Sequence, residues 1–234
     1  MTTSETARRF PWILTLAVVP AMALLIGLGV WQVQRLQWKE GLIAEAEAAR
    51  DLPPVPLARI AALGDKAEFR QVLLPCTMDT RPYIELQSIH DGEPGVRLIA
   101  ECEGYLVDLG FVPETVSARP APTTHAPTDR VPYPHAVVRR APPPNGMEPP
   151  PSNGRFFARD NAAMARALKV EGPVSPLTLY VTYQAYPGWT ALQPAVPPVA
   201  FSNNHLGYAA TWFGLALALL GFYVAMVVRK VRAA

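Results

Sequence analysis

The residues best suited to chemistry lie at the ends of two apolar segments. His205, Tyr208 and Trp212 are spaced i, i+3 and i+7, so they share one face of a helix. Trp31 and Arg35 share a helix face in the same way near the end of the other segment. An imidazole can ligate a metal ion, which makes His205 a candidate ligand. The alternative is a belt of interfacial aromatic rings with His205 as a polar helix cap; a belt does not explain Arg35.

Two segments of the sequence are long and apolar enough to cross a bilayer. Residues 10–34 and residues 206–228 contain no charged residue, and about 20 apolar residues span the hydrocarbon core as a helix. A cleaved signal peptide is the alternative for the first segment and a buried core helix for the second. We predict two transmembrane helices in a hairpin. The predicted bounds are a cytoplasmic N-terminus at 1–10, helices at 11–34 and 204–228, a periplasmic domain at 35–203 and a cytoplasmic C-terminus at 229–234.

The charges that flank the apolar segments predict the orientation. Arg8 and Arg9 precede the first segment, and Arg229, Lys230 and Arg232 follow the second. Short cationic flanks stay in the cytoplasm, so both termini are expected inside and the central domain outside. The short N-terminus does not resemble an organellar presequence. The sequence therefore favours a bacterial inner-membrane protein with two spans.

Composition excludes several function classes. The chain has 234 residues and a net charge of +2, with no basic block that could follow a phosphate backbone, so nucleic-acid binding is not expected. Two cysteines and four histidines are too few and too scattered for a zinc cage. No nucleophile elbow, P-loop, zincin motif or paired-carboxylate spacing is found, and we predict that the protein is not an enzyme.

The central residues predict an α+β fold in which a mainly antiparallel sheet dominates. Short apolar runs separated by turn signals indicate strands at 69–74, 83–86, 96–100, 105–112 and 177–183. The first apolar helix is expected to continue as an amphipathic helix to Arg50. Asp160 is the predicted N-cap of a short helix over 161–169.

Proline dominates residues 113–151, which contain 12 prolines. That density excludes a regular helix or a central strand, so we predict a long loop with one edge strand at 136–139. A PxxP ligand is the less favoured alternative. Cys76 and Cys102 follow strand candidates, and the residues alone leave open either one disulfide or two buried thiols.

Four motifs of this sequence resemble those of one family. Trp31 and Gln32, followed by Arg35, Lys39 and Leu42, resemble the N-terminal signature of the surfeit locus protein 1 family. Residues 203–216, which read NNHLGYAATWFGLA, are very similar to its C-terminal signature. Between them, VDLGFVP at 107–113 and FFARD at 156–160 resemble two weaker motifs, with Leu109 where the family commonly has arginine and phenylalanine in place of a tryptophan.

The resemblance implies an assembly factor for an aa3-type cytochrome c oxidase. It implies binding of haem a, of nascent oxidase subunit I, or of both, alongside other assembly factors and the bilayer. It makes His205 the axial ligand of haem iron. The chemistry of haem a then makes Tyr208, Trp212 and Trp31 candidates to pack on the macrocycle and Arg35 a candidate to pair with a propionate. The alternatives are belt aromatics for the three rings and a lipid headgroup contact or helix-end cation for Arg35. The competing hypotheses are a haem-free scaffold that stabilises a subunit I intermediate and a two-span sensor.

Overall fold

The structure is a computed structural model that describes residues 11–123, 135–141, 146–197 and 204–232. The chain divides into two compact units, one formed by Met1–Ala44 with Val199–Ala234 and the other by Glu45–Pro198. Arg8, Arg9 and part of the proline-rich segment lie outside the described residues, so the orientation predicted from the N-terminal charges stays a prediction.

The described part of the first unit consists mainly of two long apolar helices, the first of which continues past Ala44. Helix α1 spans Trp12–Arg50 and α4 spans His205–Arg232, and both are long and apolar enough to cross a membrane. Pro20 lies inside α1 without ending it. The predicted continuation of the first helix to Arg50 is confirmed.

The second unit contains a mixed eight-stranded sheet with short helices. The strands are β1 Val55–Pro56, β2 Gln71–Leu73, β3 Ile84–His90, β4 Glu93–Cys102, β5 Tyr105–Pro113, β6 His135–Arg140, β7 Arg155–Phe156 and β8 Leu177–Val181. Helix α2 spans Ile60–Leu63 and α3 spans Asn161–Ala167, and 3-10 turns occur at Leu57–Arg59, Gly64–Ala67 and Met78–Thr80. The strand order is β1-β2-β6-β8-β5-β4-β3-β7.

The prediction of a mainly antiparallel sheet is only partly right. The consecutive strands β3, β4 and β5 are antiparallel, as their short turns require. However, β1 pairs with β2, β3 with β7 and β5 with β8 in parallel, so the sheet in the described residues is mixed. The cause is connection length: the segment between β5 and β8 is long enough for the chain to cross over and return in the same direction.

Strand β6 corrects the prediction of an edge strand in the proline-rich segment. It lies inside the sheet, between β2 and β8. Residues 135–140 contain no proline themselves, so every backbone N–H is available for the ladder although prolines flank the strand. The edge-strand prediction relied on the proline content of the whole segment, whereas the six residues of β6 all keep their backbone N–H groups.

Both faces of the sheet are covered. On one face, Val96, Leu98, Val107, Leu109 and Leu179 belong to the main apolar core. On the other face, Ile99 and Leu106 pack with Met164 of α3. Asp160 caps α3 as predicted, because its Oδ1 accepts a hydrogen bond from the Ala163 N–H at 3.0 Å.

The two cysteines form a disulfide. Cys76 follows β2 and Cys102 ends β4, with their Cα atoms 5.9 Å apart. Both side chains belong to the main core. Of the two alternatives left open by the sequence, the structure has the bridged form, which is typical of proteins that fold in an oxidising compartment.

Residues 193–197, which we call the return segment, are attached to the sheet through their own backbone oxygens and nitrogens. Gln193 exchanges both backbone hydrogen bonds with Phe111, at 2.8 and 2.9 Å. Arg97 donates to the Ala195 carbonyl at 2.7 Å, and Arg139 donates to the Pro197 carbonyl at 2.8 Å. Gly110 has a φ of +132°, and a Cβ on it would collide with the Gln193 carbonyl, so only glycine fits there.

Candidate functional site

The first candidate site is a polar pair between α1 and α4. The Nδ1 atom of His205 lies 2.6 Å from Oε1 of Gln32. A carbonyl oxygen can only accept, so Nδ1 carries the proton and donates it to Gln32. The neutral imidazole then has its lone pair on Nε2.

His205 Nε2 is the unusual atom of this pair. It is buried, and it has no hydrogen-bond partner among the described residues. Buried polar atoms are nearly always paired, and an exception calls for an explanation such as a ligand or water that the atom is built to meet. The arrangement of a donated Nδ1–H and a bare Nε2 is the one found at histidines that ligate metal ions.

The two helices are antiparallel and approach closely below this pair. Thr15 Oγ1 lies 2.8 Å from the Tyr223 hydroxyl at the other end of the contact. Gly29 is buried against Phe213, since a Cβ on Gly29 would lie 2.6 Å from a ring carbon. From Thr15 to Gln32, α1 rises about 26 Å, close to the thickness of a hydrocarbon core. The polar pairs therefore lie at either end of an apolar contact.

The other predicted site residues have different surroundings. Trp31 is 53% exposed and Tyr208 is 57% exposed, so neither is packed between the helices. Trp212 is half-buried. The guanidinium of Arg35 stacks on Trp38, with its Cζ atom 3.8 Å from the ring centroid. The structure thus gives His205 a partner from α1, and Trp31 and Tyr208 present free aromatic surface.

A second polar cluster lies inside the sheet unit. The Asp108 carboxylate accepts hydrogen bonds from Arg97 Nη1 at 3.2 and 3.3 Å and from Arg159 Nη2 at 2.7 Å. Only 1% of the Asp108 side chain is exposed, against 7% for Arg97 and 11% for Arg159. Asp108 also accepts from the Gly110 N–H at 3.2 Å. The carboxylate thereby neutralises one of two buried guanidinium groups.

The surroundings of this cluster are closed. The Cζ atoms of Arg97 and Arg159 lie 5.8 and 5.3 Å from the ring centroid of Tyr180, and burial raises the pKa of that phenol. Arg159 Nη1 is buried and finds no hydrogen-bond partner in the part of the chain that the structure describes. With so little exposure, the cluster is suited to hold strands β4, β5 and β8 and the residues before α3 together, rather than to bind a large ligand.

Sequence reasoning missed the partners in both clusters. Gln32 stands out in the sequence only as part of a motif, although an amide inside an uncharged apolar run indicates a polar contact; Gln34 lies in the same run and is exposed. Asp108 and Arg159 come from the two weaker motifs, which the fold joins. Leu109, which stands where the resemblance implies an arginine, is fully buried in the main core beside a register shift in the β4–β5 pairing. No set of three or more histidine, cysteine or acidic side chains that could bind a metal ion is present in the described ranges.

Comparison with known proteins identifies the class. The model of the SURF1 family matches residues 19–217, which include most of α1, the sheet unit and the first part of α4. The chain is similar to human Surfeit locus protein 1, with 27% identity over 88% of this chain and 74% of the relative. It is also similar to the mouse protein of that name, with 28% identity over 92% and 75%. A SURF1-like protein of Rickettsia felis is 27% identical over 89% of this chain and 94% of its own length.

The protein belongs to the SURF1 family. The match runs through nearly the whole chain, and it covers Gln32, His205, Asp108 and Arg159. The resemblance predicted from the four motifs is confirmed.

Proposed function

We propose that this protein is a membrane-bound assembly factor for cytochrome c oxidase, which holds haem a for insertion into nascent subunit I. Family membership supports the assembly role, since that is the role the resemblance implies. One observation supports haem binding: His205 has its Nδ1–H donated to Gln32 and a bare, buried Nε2. An imidazole nitrogen in that state is an axial ligand for haem iron.

The residues around His205 fit the chemistry of haem a. Trp31 and Tyr208 offer exposed rings that an apolar macrocycle can cover, and Trp212 adds a half-buried one. Arg35, together with Lys39 one turn further, supplies positive charge for the propionates. The apolar surfaces of the two helices suit the farnesyl tail. Haem a is the cargo here, and its entry requires the groups that cover Nε2 to move aside.

The proposed location is a bacterial inner membrane, with both termini in the cytoplasm. Two apolar helices, the cationic end of α4 and the similarity to a bacterial protein support it. The disulfide between Cys76 and Cys102 supports placing the sheet unit outside the cytoplasm. Nascent subunit I and other assembly factors are the proposed partners.

A haem-free scaffold remains the second candidate, and a specific observation favours it. Because Nε2 is covered and Nδ1 bonds to Gln32, His205 also serves as a polar clasp between α1 and α4. In that case the sheet unit would bind a subunit I intermediate without carrying its cofactor.

Spectroscopy of the purified protein separates the two candidates. The full chain should be purified in mild detergent from cells that make haem a. We expect a Soret band and the pyridine haemochrome of haem a in the wild type, and loss of both in His205→Ala at unchanged expression. His90→Ala, which removes an imidazole from the β3–β4 hairpin, is the matched control and should keep the haem. A colourless wild-type protein would favour the scaffold.

A further inference from the structure

We infer that Gln32 is the positioning residue of the haem site: it fixes the tautomer and the orientation of His205 so that Nε2 faces the iron as a bare lone pair. The inference rests on the proposed function and adds a residue to it. The geometry that carries it is the 2.6 Å contact between His205 Nδ1 and Gln32 Oε1 together with the unpartnered Nε2.

The position of Gln32 in α1 makes the contact possible. Gln32 lies one turn from Gly29, whose missing side chain lets Phe213 and hence α4 approach α1 closely. At that separation the amide reaches across to the first residue of α4. A hydrogen bond in surroundings of low dielectric is strong and holds the ring plane fixed.

A fixed tautomer has a chemical consequence. A neutral imidazole can place its proton on either nitrogen, and only the unprotonated nitrogen ligates a metal ion. An acceptor at Nδ1 selects the form with Nε2 free and makes Nε2 more basic. Without Gln32, part of the protein would have its proton on Nε2, and the ring would be free to turn.

The first test needs no haem. Nitrogen-15 NMR of histidine-labelled, haem-free full chain at neutral pH distinguishes protonated from bare ring nitrogens, and His205→Ala assigns the signals among the four histidines. We expect a protonated Nδ1 and a bare Nε2 for His205 in the wild type. In Gln32→Leu, the fraction protonated at Nδ1 should fall. The matched control Gln34→Leu, which removes an exposed amide two residues further on, should leave the spectrum unchanged.

The second test uses the haem-loaded protein. Loss of an outer hydrogen bond to a ligating histidine typically weakens metal binding about 10- to 100-fold, so Gln32→Leu should lose haem a on dilution. Gln32→Glu keeps an acceptor and should retain haem. Its negative charge should push the imidazole towards imidazolate and lower the midpoint potential of the iron. A residue that only joins two helices would not shift that potential.

The outcomes separate the inference from the proposed function. A proton on Nε2 in the wild type, or a Gln32→Leu protein with wild-type NMR signals and haem content, overturns the role of Gln32. A colourless wild type with Nδ1 protonated overturns haem carriage and leaves Gln32 as the residue that orients His205.

Discussion

At the scale of single residues, Asp108 is the buried counter-charge of the polar cluster in the sheet unit. It is the carboxylate shared by two buried guanidinium groups. Asp108→Asn would leave Arg97 and Arg159 buried without a counter-charge, which typically costs about 3–5 kcal/mol. We expect the midpoint of thermal unfolding, measured in mild detergent, to fall by roughly 6–20 °C.

Asp91→Asn is the control for that substitution. The Asp91 side chain is 93% exposed at the β3–β4 turn and its φ is +50°, a conformation that asparagine tolerates well. Its effect should stay within about 0.5 kcal/mol. Equal losses in the two variants would show that Asp108 does not hold the cluster together.

The Tyr186 hydroxyl makes stability depend on alkaline pH. Burial raises the pKa of Tyr186 from 10.0 to about 12. As the pH rises past 10, the unfolded chain loses the phenolic proton first, which favours unfolding. The stability that this tyrosine contributes is therefore complete below pH 10 and is lost as the pH approaches 12.

Tyr186→Phe tests that dependence. The Tyr186 hydroxyl is buried and has no hydrogen-bond partner within the described ranges, so its removal should cost little stability at neutral pH. The melting temperature of the variant should fall less steeply above pH 10 than that of the wild type. Tyr105→Phe, at a half-buried position against the same core, is the matched control. A wild-type slope in Tyr186→Phe would contradict the prediction.

Residue types indicated the site only in part. His205 could be singled out because an imidazole can ligate a metal ion and because it lies in the C-terminal motif. Its partner could not, because Gln32 lies 173 positions away in the sequence, and only the fold shows that the two side chains are 2.6 Å apart. The same holds for Asp108 and Arg159, whose carboxylate and guanidinium meet across a separation of 51.

At the scale of elements, Gly29 allows the close approach of α1 to Phe213 of α4. Gly29→Ala would place a methyl group 2.6 Å from a Phe213 ring carbon. Overpacking of this kind typically costs about 1–3 kcal/mol. We expect a lower unfolding temperature for the helical signal in circular dichroism, measured on the full chain in detergent.

Gly27→Ala is the matched control in the same helix. Apart from its chain neighbours and the backbone of its own helical turns, no atom of the described residues lies within 4 Å of the position of its added Cβ. Alanine is the better helix former, so this variant should melt no earlier than the wild type. A loss in Gly27→Ala equal to that in Gly29→Ala would show that helix propensity, not packing, explains the effect.

Element types were predictable where the pattern was local. Helix α1, the hairpin strands β3, β4 and β5, and the capped α3 follow from composition, turn residues and one N-cap. The interior position of β6 and the parallel β5–β8 pair were not predictable, because they depend on pairing between strands that are far apart in the sequence. The two-residue strands β1 and β7 are too short to leave a periodic signal.

At the scale of the whole molecule, topology is the property most directly open to experiment. In cells with a permeable outer membrane, a membrane-impermeant maleimide should label Ala121→Cys and should not label Val231→Cys until the inner membrane is broken. Both positions are exposed, so accessibility within the fold does not decide the result. The reverse pattern would place the sheet unit in the cytoplasm.

The disulfide between Cys76 and Cys102 is expected to contribute to the stability of the sheet unit. Replacing both Cys76 and Cys102 by serine opens a bridge with a sequence separation of 26, and loss of a native disulfide typically costs about 2–5 kcal/mol. We expect a lower unfolding temperature for the double variant. Thiol titration of the unreduced, denatured wild type should find no free cysteine, and two free thiols would contradict the bridged form.

The return segment has a consequence for how this protein can change over evolutionary time. Its anchors are main-chain oxygens and nitrogens at 193, 195 and 197, and every amino acid supplies such an oxygen. Apart from the small size required at buried Ala195, substitutions in this stretch can accumulate while the attachment persists. Arg97 and Arg139 attach through their side chains, and Gly110 is required by the close approach of the Gln193 carbonyl. Among related proteins, residues 193–197 should therefore vary while these three residues stay unchanged.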